Sequence, residues 1–267
     1  MGNSQDLYKI EQIVKVFGNN FVFNDVSFTI RGGEIFGIIG SSGSGKTTLL
    51  NILAGFLKPE KGEVSFRDSR LLNSDKSKGF FPVFKNRNQL KSMYGFAFQN
   101  PSFHSNLTIT ENLTYFGALY DLPNESIKEN AEHLLKLMNL TNCCDVLAQK
   151  LSGGMQRRLD IACSLIHDPK ILILDEPTAD LDPVLTEKIW DLIKTINKRG
   201  TTIIVASHDL SRLEKTCDRI IVLSEGKIAA IGNTSEIKSK NKCSTLLEVF
   251  NKLTKCDQEP KLKRSKK

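Results

Sequence analysis

The sequence predicts an α/β protein with a mostly parallel sheet, on three observations. Apolar runs of strand length alternate with stretches of 3.6-residue periodicity along most of the chain. A glycine-rich loop, Gly40-Ser41-Ser42-Gly43-Ser44-Gly45-Lys46-Thr47-Thr48, joins one such run to one such helix. Side chains suited to chemistry, Gln99, Asp175, Glu176 and His208, follow apolar runs, and in parallel sheets ligands sit at the strands' C-terminal ends.

Residues 8–17 and 21–30 are rich in Val, Ile and Phe and flank Gly18-Asn19-Asn20, which predicts a hairpin. Phe17, just before the turn, suits either stacking on a nucleotide base or ordinary sheet packing, and spacing alone leaves both open. Residues 35–39 predict a buried strand. Residues 46–54, with Leu49, Leu50, Ile52 and Leu53 and a stop at Gly55, predict a helix. The loop between them fits G-x-x-x-x-G-K-[ST], the phosphate-binding loop of nucleoside triphosphatases. Such a loop aims backbone N–H groups at an anion, and its glycines let the chain come close. Lys46 then meets the β/γ-phosphates and Thr47 ligates Mg²⁺.

Residues 63–66 predict a further strand. Residues 67–91, rich in Lys, Asn and Ser around Phe80, Phe81 and Phe84, predict a surface excursion before the strand at 94–98 that ends at Gln99. Between 101 and 168 the pattern turns helical. Thr108 or Thr110 caps a helix over 111–120, and 126–140 repeats apolar residues at Ile127, Ala131, Leu134, Leu135 and Met138. A helix over 151–166 takes Ser152 as N-cap, with Gly153 and Gly154 in its first turn. Residues 171–174 predict a strand, Asp182-Pro183 opens a helix that stops at Gly200, and 201–206 predict a strand leading to His208. Residues 219–223 and 227–231 predict a closing hairpin.

Asp175, directly after four apolar residues, is poised to bind Mg²⁺ through a water or through Thr47. Glu176 beside it suits a general base that orients water, and two acids after a buried strand are costly without a cation nearby. A lone histidine after a strand is usually a surface residue; in a chain with a phosphate loop, His208 reads as a γ-phosphate contact. Ser152-Gly153-Gly154 at a helix start makes a second anion-binding end, about a hundred residues from the first. Two such ends in one chain suggest two chains sharing each nucleotide.

At 267 residues the chain suffices for one large domain, or one domain with a subdomain. No apolar run approaches the ~18 residues of a membrane helix. Residues 1–12 do not resemble a signal peptide, and Asp6 stands where a myristoylation site needs Ser or Thr, so a soluble cytoplasmic chain is expected unless a partner holds it at a membrane. The six cysteines form no C-x-x-C pair, and Cys143-Cys144 has no ligand partners at metal spacing, so reduced thiols are expected. The formal charge of +7 resides wholly in residues 238–267, which hold ten basic and three acidic residues. A neutral body argues against nucleic-acid binding. Within this tail Leu246, Leu247, Val249, Phe250 and Leu253 fit a short helix, and the remainder reads as a solvated end or as an attraction to anionic lipid headgroups.

Leu151-Ser152-Gly153-Gly154-Met155-Gln156 resembles the LSGGQ signature of the ATP-binding cassette (ABC) ATPases, with Met155 inserted before Gln156. The resemblance spans about residues 7–237 and includes the phosphate loop and the ILILDE run at 171–176. It implies a P-loop NTPase fold over 1–237: a mostly parallel RecA-like core, an N-terminal antiparallel β subdomain and an inserted α-helical subdomain at about 101–168, followed by the basic tail 238–267. It implies Gln99 as the Q-loop glutamine, on the metal and catalytic side of the nucleotide, and Asp175 and Glu176 as the Walker B aspartate and catalytic glutamate. Residues 179–182, ending in Asp182, correspond to the D-loop, His208 to the switch histidine and Phe17 to the adenine-stacking aromatic. Two subunits, identical or different, then close head-to-tail around ATP and Mg²⁺. Lys46, Thr47 and Asp175 of one and Ser152, Gly153, Gly154 and Gln156 of the other hold each nucleotide, and a groove near Gln99 receives a multi-span membrane subunit. The chain departs from the family at Asp180, where many members carry a small residue, and in the length of the 67–91 excursion. Residues 107–120 and 157–162 resemble drug- and antibiotic-efflux ATPases, so the expected function is that of an exporter's ATPase at the cytoplasmic face of a membrane. An importer ATPase and a soluble non-transport ABC ATPase are the rivals. Lys46, Asp175, Glu176 and His208 together argue against a non-hydrolysing cassette.

Overall fold

The computed structural model describes residues 5–67 and 79–254. β1 (Asp6–Phe17) and β2 (Asn20–Arg31) form the expected hairpin, with Phe17 opposite Asn20 at its turn. β3 (Ile35–Gly40) is buried along its whole length and runs through the glycine loop into α1 (Lys46–Leu53). β4 (Lys61–Arg67) returns to pair with β1.

β5 (Phe80–Pro82) pairs with β4, and α2 (Arg87–Lys91) follows. This corrects the expectation of a surface excursion for residues 79–91: Val83 and Leu90 are fully buried, and Phe81 packs on Phe66. A three-residue strand and a five-residue helix are too short for hydrophobic periodicity to register against so many polar neighbours. Residues 68–78 of that stretch lie outside the described residues.

After β6 (Tyr94–Ala97) come three helices, α3 (Ile109–Leu119), α4 (Asn124–Leu137) and α5 (Gly153–Leu165). Thr108, not Thr110, caps α3. Its hydroxyl accepts from the Glu111 N–H, and the Glu111 carboxylate accepts from the Thr108 N–H at 2.7 Å, a complete capping box. α4 buries Ile127, Ala131, Leu134 and Leu135, one face at helical spacing.

The chain continues through β7 (Ile171–Asp175), α6 (Pro183–Lys198) and β8 (Thr202–Ala206). It then runs through α7 (Leu210–Thr216), β9 (Arg219–Ser224), β10 (Lys227–Gly232), α8 (Thr234–Asn241) and α9 (Leu246–Thr254). α7 and α8 were not expected; each is about two turns long and buries one residue, Leu213 and Ile237. Leu246 and Val249 of α9 are fully buried in the main core, so the apolar part of the tail packs on the body and the core runs past residue 237.

The first sheet is antiparallel, in the order β2-β1-β4-β5; the second runs β10-β9-β3-β8-β7-β6, parallel except for β10 at its edge. This order positions the site. β3, β8 and β7 lie side by side, so their C-terminal ends bring the glycine loop, His208 and Asp175-Glu176 to one edge. One apolar core joins α1 and the antiparallel sheet to β3; the other joins the opposite side of the parallel sheet to α3–α6.

Candidate nucleotide site

A cleft of about 630 Å³ opens at that edge. Phe17, Gly40, Ser41, Ser42, Gly43, Gly45, Lys46, Thr47, Thr48, Gln99, Asp175, Glu176 and His208 line it, residues spread over almost 200 positions of sequence. Ser44 of the loop does not line the cleft; its Oγ is buried beside Gly40 and has no hydrogen-bond partner.

The loop is shaped to present N–H groups. Gly45, at the N-cap of α1, has φ 98°, a left-handed conformation that side chains disfavour, and a Cβ there would stand 2.7 Å from Val22. No side chain caps α1 and no acid sits in its first turn, so its N-terminal donors and dipole face an anion unopposed. The Lys46 ammonium donates to the Gly40 and Ser41 carbonyls at 3.0 and 3.3 Å, which bends it back over the loop.

Thr47 Oγ1 donates to Asp175 Oδ2 at 2.7 Å, joining the helix to the end of β7. Burial pushes the Asp175 carboxyl above its ordinary range; the Thr47 hydroxyl opposes that, and neighbouring Glu176 adds to it. A hydroxyl and a costly buried carboxylate beside a phosphate cradle suit Mg²⁺, which takes one or two protein oxygens plus phosphate oxygens and keeps its waters. Among the described residues no cluster of three His, Cys, Asp or Glu side chains offers a metal site formed by protein alone.

Glu176 adopts φ 48° just past the strand, a left-handed conformation that turns its side chain back over the edge. There Oε2 lies 2.8 Å from His208 Nδ1 and accepts from the His208 N–H at 3.2 Å. The acid is thereby held by β8's exit, while the imidazole itself is 74% exposed. Gln99, two residues past β6, is exposed at the cleft wall. Phe17 stands 49% exposed on the lip, with the Lys15 ammonium 4.9 Å from its ring centroid. An exposed aromatic on the lip is not a core residue and leaves a ring face open to a planar group.

The Ser152 end lies elsewhere. Ser152 caps α5, its hydroxyl accepting from the Met155 N–H at 3.4 Å, and Ser152 and Gly153 are exposed, yet neither lines the cleft. Gly154 is buried against α6, and a Cβ there would meet Leu185 at 2.7 Å, so this glycine serves helix packing. Gln156 turns inward and donates to the Ala148 carbonyl at 3.3 Å. Asp182 caps α6, accepting from Val184 and Leu185 N–H at 2.9 and 3.0 Å; Asp180 takes φ 60°, a left-handed conformation that glycine adopts most easily.

Sequence reasoning missed two contributors. Phe250 of α9 lines the cleft beside Leu210, a contact across the whole chain with no local signal. Arg157, buried on α5, donates to the Phe98 and Asp175 carbonyls at the cleft's edge; its only signal is a charge three residues before an acid on the same helix.

The family model for the ABC transporter matches residues 23–179. Nod factor export ATP-binding protein I of Rhizobium sp. (strain N33) is 34% identical over 242 residues, covering 89% of this chain and 74% of that protein. Linearmycin resistance ATP-binding protein LnrL of Bacillus subtilis (strain 168) is 30% identical over 243 residues, covering 91% and 74%. ABC transporter G family member 23 of Dictyostelium discoideum is 35% identical over 251 residues, 94% of this chain and only 34% of that longer protein. Among solved structures, cbiO1 of Clostridium perfringens, part of the ABC transporter complex cbiONQ, superposes with a TM-score of 0.77 at 28% identity, covering 92% of this chain and 95% of its own.

Proposed function

The chain belongs to the ABC transporter family and is an ATP-hydrolysing subunit, and we propose that it powers export through a separate multi-span membrane protein, seated on that protein's cytoplasmic face. Relatives named for Nod factor export and linearmycin resistance support the direction.

The observation that carries the partner is an apolar groove beside Gln99. Phe56, Phe98 and Leu119 are 51, 36 and 59% exposed there, and the rings of Phe96 and Phe98 stack with centroids 4.1 Å apart. Exposed aromatics around a groove are the composition of a protein interface. Phe98 adjoins Gln99, so a helix seated in the groove would act directly on the cleft wall. Among the described residues no helix is long and apolar enough to cross a membrane; the proposal leaves the crossing to the partner.

In this reading Lys46 and the loop N–H groups hold the phosphates, and Thr47 and Asp175, with Gln99 beside them, hold Mg²⁺, which neutralises phosphate charge when bound. Glu176, steered by His208, takes a proton from the attacking water. Ser152 and Gly153 serve the nucleotide of a second copy or a related subunit, whose own Ser152-type end returns to this cleft. The basic residues beyond 254, outside the described residues, are read as attracted to anionic headgroups at ~1 kcal/mol each.

The test is recovery of the chain from native membranes. Wild type should bring down a multi-span protein, and Phe56→Asp with Phe98→Asp should lose it while still binding ATP. Undiminished recovery by the double variant removes the groove from the proposal; a wild type that brings down no membrane protein removes the transporter partner.

A further inference from the structure

Arg157 is a buried charge to which the ATP chemistry assigns no role. It sits on α5, five residues after Ser152, with its side chain 7% exposed and that of its partner Asp160 fully buried. Its guanidinium donates to three main-chain carbonyls: Phe98 through Nη1 at 2.5 Å, Pro177 through Nε at 2.9 Å and Asp175 through Nη2 at 3.3 Å. Each carbonyl marks a residue of the cleft. Phe98 precedes Gln99, Asp175 bonds Thr47, and Pro177 follows Glu176. Nη1 also meets Asp160 Oδ2 at 3.1 Å, and Asp160 Oδ1 accepts from the Ser102 N–H and hydroxyl at 2.8 Å each, which pins the chain beyond Gln99.

One side chain thus bridges the ends of β6 and β7 from the helix that begins at Ser152. That helix has no slack against the sheet: a Cβ on Gly95 of β6 would stand 1.8 Å from the Ser164 carbonyl oxygen of α5.

We infer that Arg157 is a positioning residue that fixes Gln99, Asp175 and Glu176 relative to one another and ties them to the Ser152 end of the same chain. The inference rests on the roles proposed above for those three residues. Its consequence is that the pose of the cleft and the pose of the end offered to a second chain change together. Only a guanidinium suits this bridge, because a planar fork with five donors serves several acceptors at once, where a lysine offers one compact head. An ion pair for stability alone would need none of the three carbonyl bonds, and a buried pair is weak evidence for stability.

Arg157→Ala strands Asp160 without a counter-charge and risks the fold, so the experiment compares Arg157→Lys, which keeps the charge and loses the fork, with Asp160→Asn, which breaks the ion pair and keeps the carbonyl bonds. Both are assayed as the full chain, under conditions where circular dichroism and melting show them folded. Arg157→Lys should lose roughly tenfold or more in kcat at saturating Mg-ATP, as expected when reacting groups are misplaced. Its KM and its affinity for a fluorescent ATP analogue should stay within about threefold of wild type, and Asp160→Asn should keep kcat within about threefold. An Arg157→Lys kcat matching wild type, equal losses in the two variants, or a kcat loss matched by lost nucleotide affinity would each overturn the inference. If Arg157→Lys fails to fold, Arg157→Met with Asp160→Leu, which removes both charges, takes its place with the same expectation. Glu176→Gln run alongside separates the two levels: full activity there sinks the proposed role of Glu176, while the contrast between the Arg157 and Asp160 variants still judges the clamp.

Discussion

α1 and α5 both begin at glycines and both turn backbone N–H groups outward, yet they are finished differently. α1 has no side-chain cap, and its loop is walled by Asp175, Glu176 and Gln99 from other strands, so in the proposed function a bound phosphate would meet donors, a cation site and a base together. α5 is capped by its own Ser152 and stands exposed with no such walls. A helix terminus is an anion site in principle; what surrounds it decides whether it is a whole site or half of one. In the proposed function the α5 end is the half that a second molecule completes.

Three measurements bear on that contrast, the largest effect first. Glu176→Gln should leave nucleotide binding at α1 intact and cut turnover ~10²-fold or more, the worth of a positioned base. It should also accumulate an ATP-bound dimer; ATPase at the wild-type level would show that the walls around α1 do not include a base. Ser152→Arg should lower ATPase by roughly tenfold, on the scale of a helix-terminus interaction, and abolish ATP-dependent dimerisation. The isolated subunit should bind nucleotide as before, because α5 lies outside its cleft. Lost binding by the isolated subunit would make the two ends parts of one site and erase the contrast. The smallest effect lies within α5 itself. Gly154→Ala should cost about 1 kcal/mol as Leu185 turns aside, lowering Tm by ~2–4 °C for a domain of this size. Gly153→Ala, whose added Cβ meets only Leu181 at 3.9 Å, should leave Tm nearly unchanged. Equal shifts in Tm would remove the division of labour between the two glycines.

Much of this was legible because a parallel sheet writes itself plainly. β3, β7 and β8 are buried throughout, so they show as unbroken apolar runs, and the residues after them fall where ligands bind. Ser152 and Asp182 announced their helices because capping is a one-residue signal. Most of what could not be read depends on partners distant in sequence. That Leu185 also crowds Gly154 is not in the local sequence. Nothing in the sequence around Arg157 shows that three carbonyls from 98, 175 and 177 converge on it. Phe250 belongs to a charged tail by composition and to the cleft by contact. α7, α8 and β5 are too short for periodicity to separate from loop.

The strand order also has a consequence for how the molecule is born. β3 carries the phosphate loop from residue 40, yet Ile35 pairs with Ile203 and Phe36 with Arg219. Both neighbours of β3 therefore leave the ribosome late. At ~5–20 residues per second, roughly 10–30 s of synthesis separate the loop from the strands that hold its base. Until then the nascent chain displays an apolar strand with two unpaired edges, a natural client for chaperones. A copy cut short before β9 has every residue of the loop and no complete sheet to aim it.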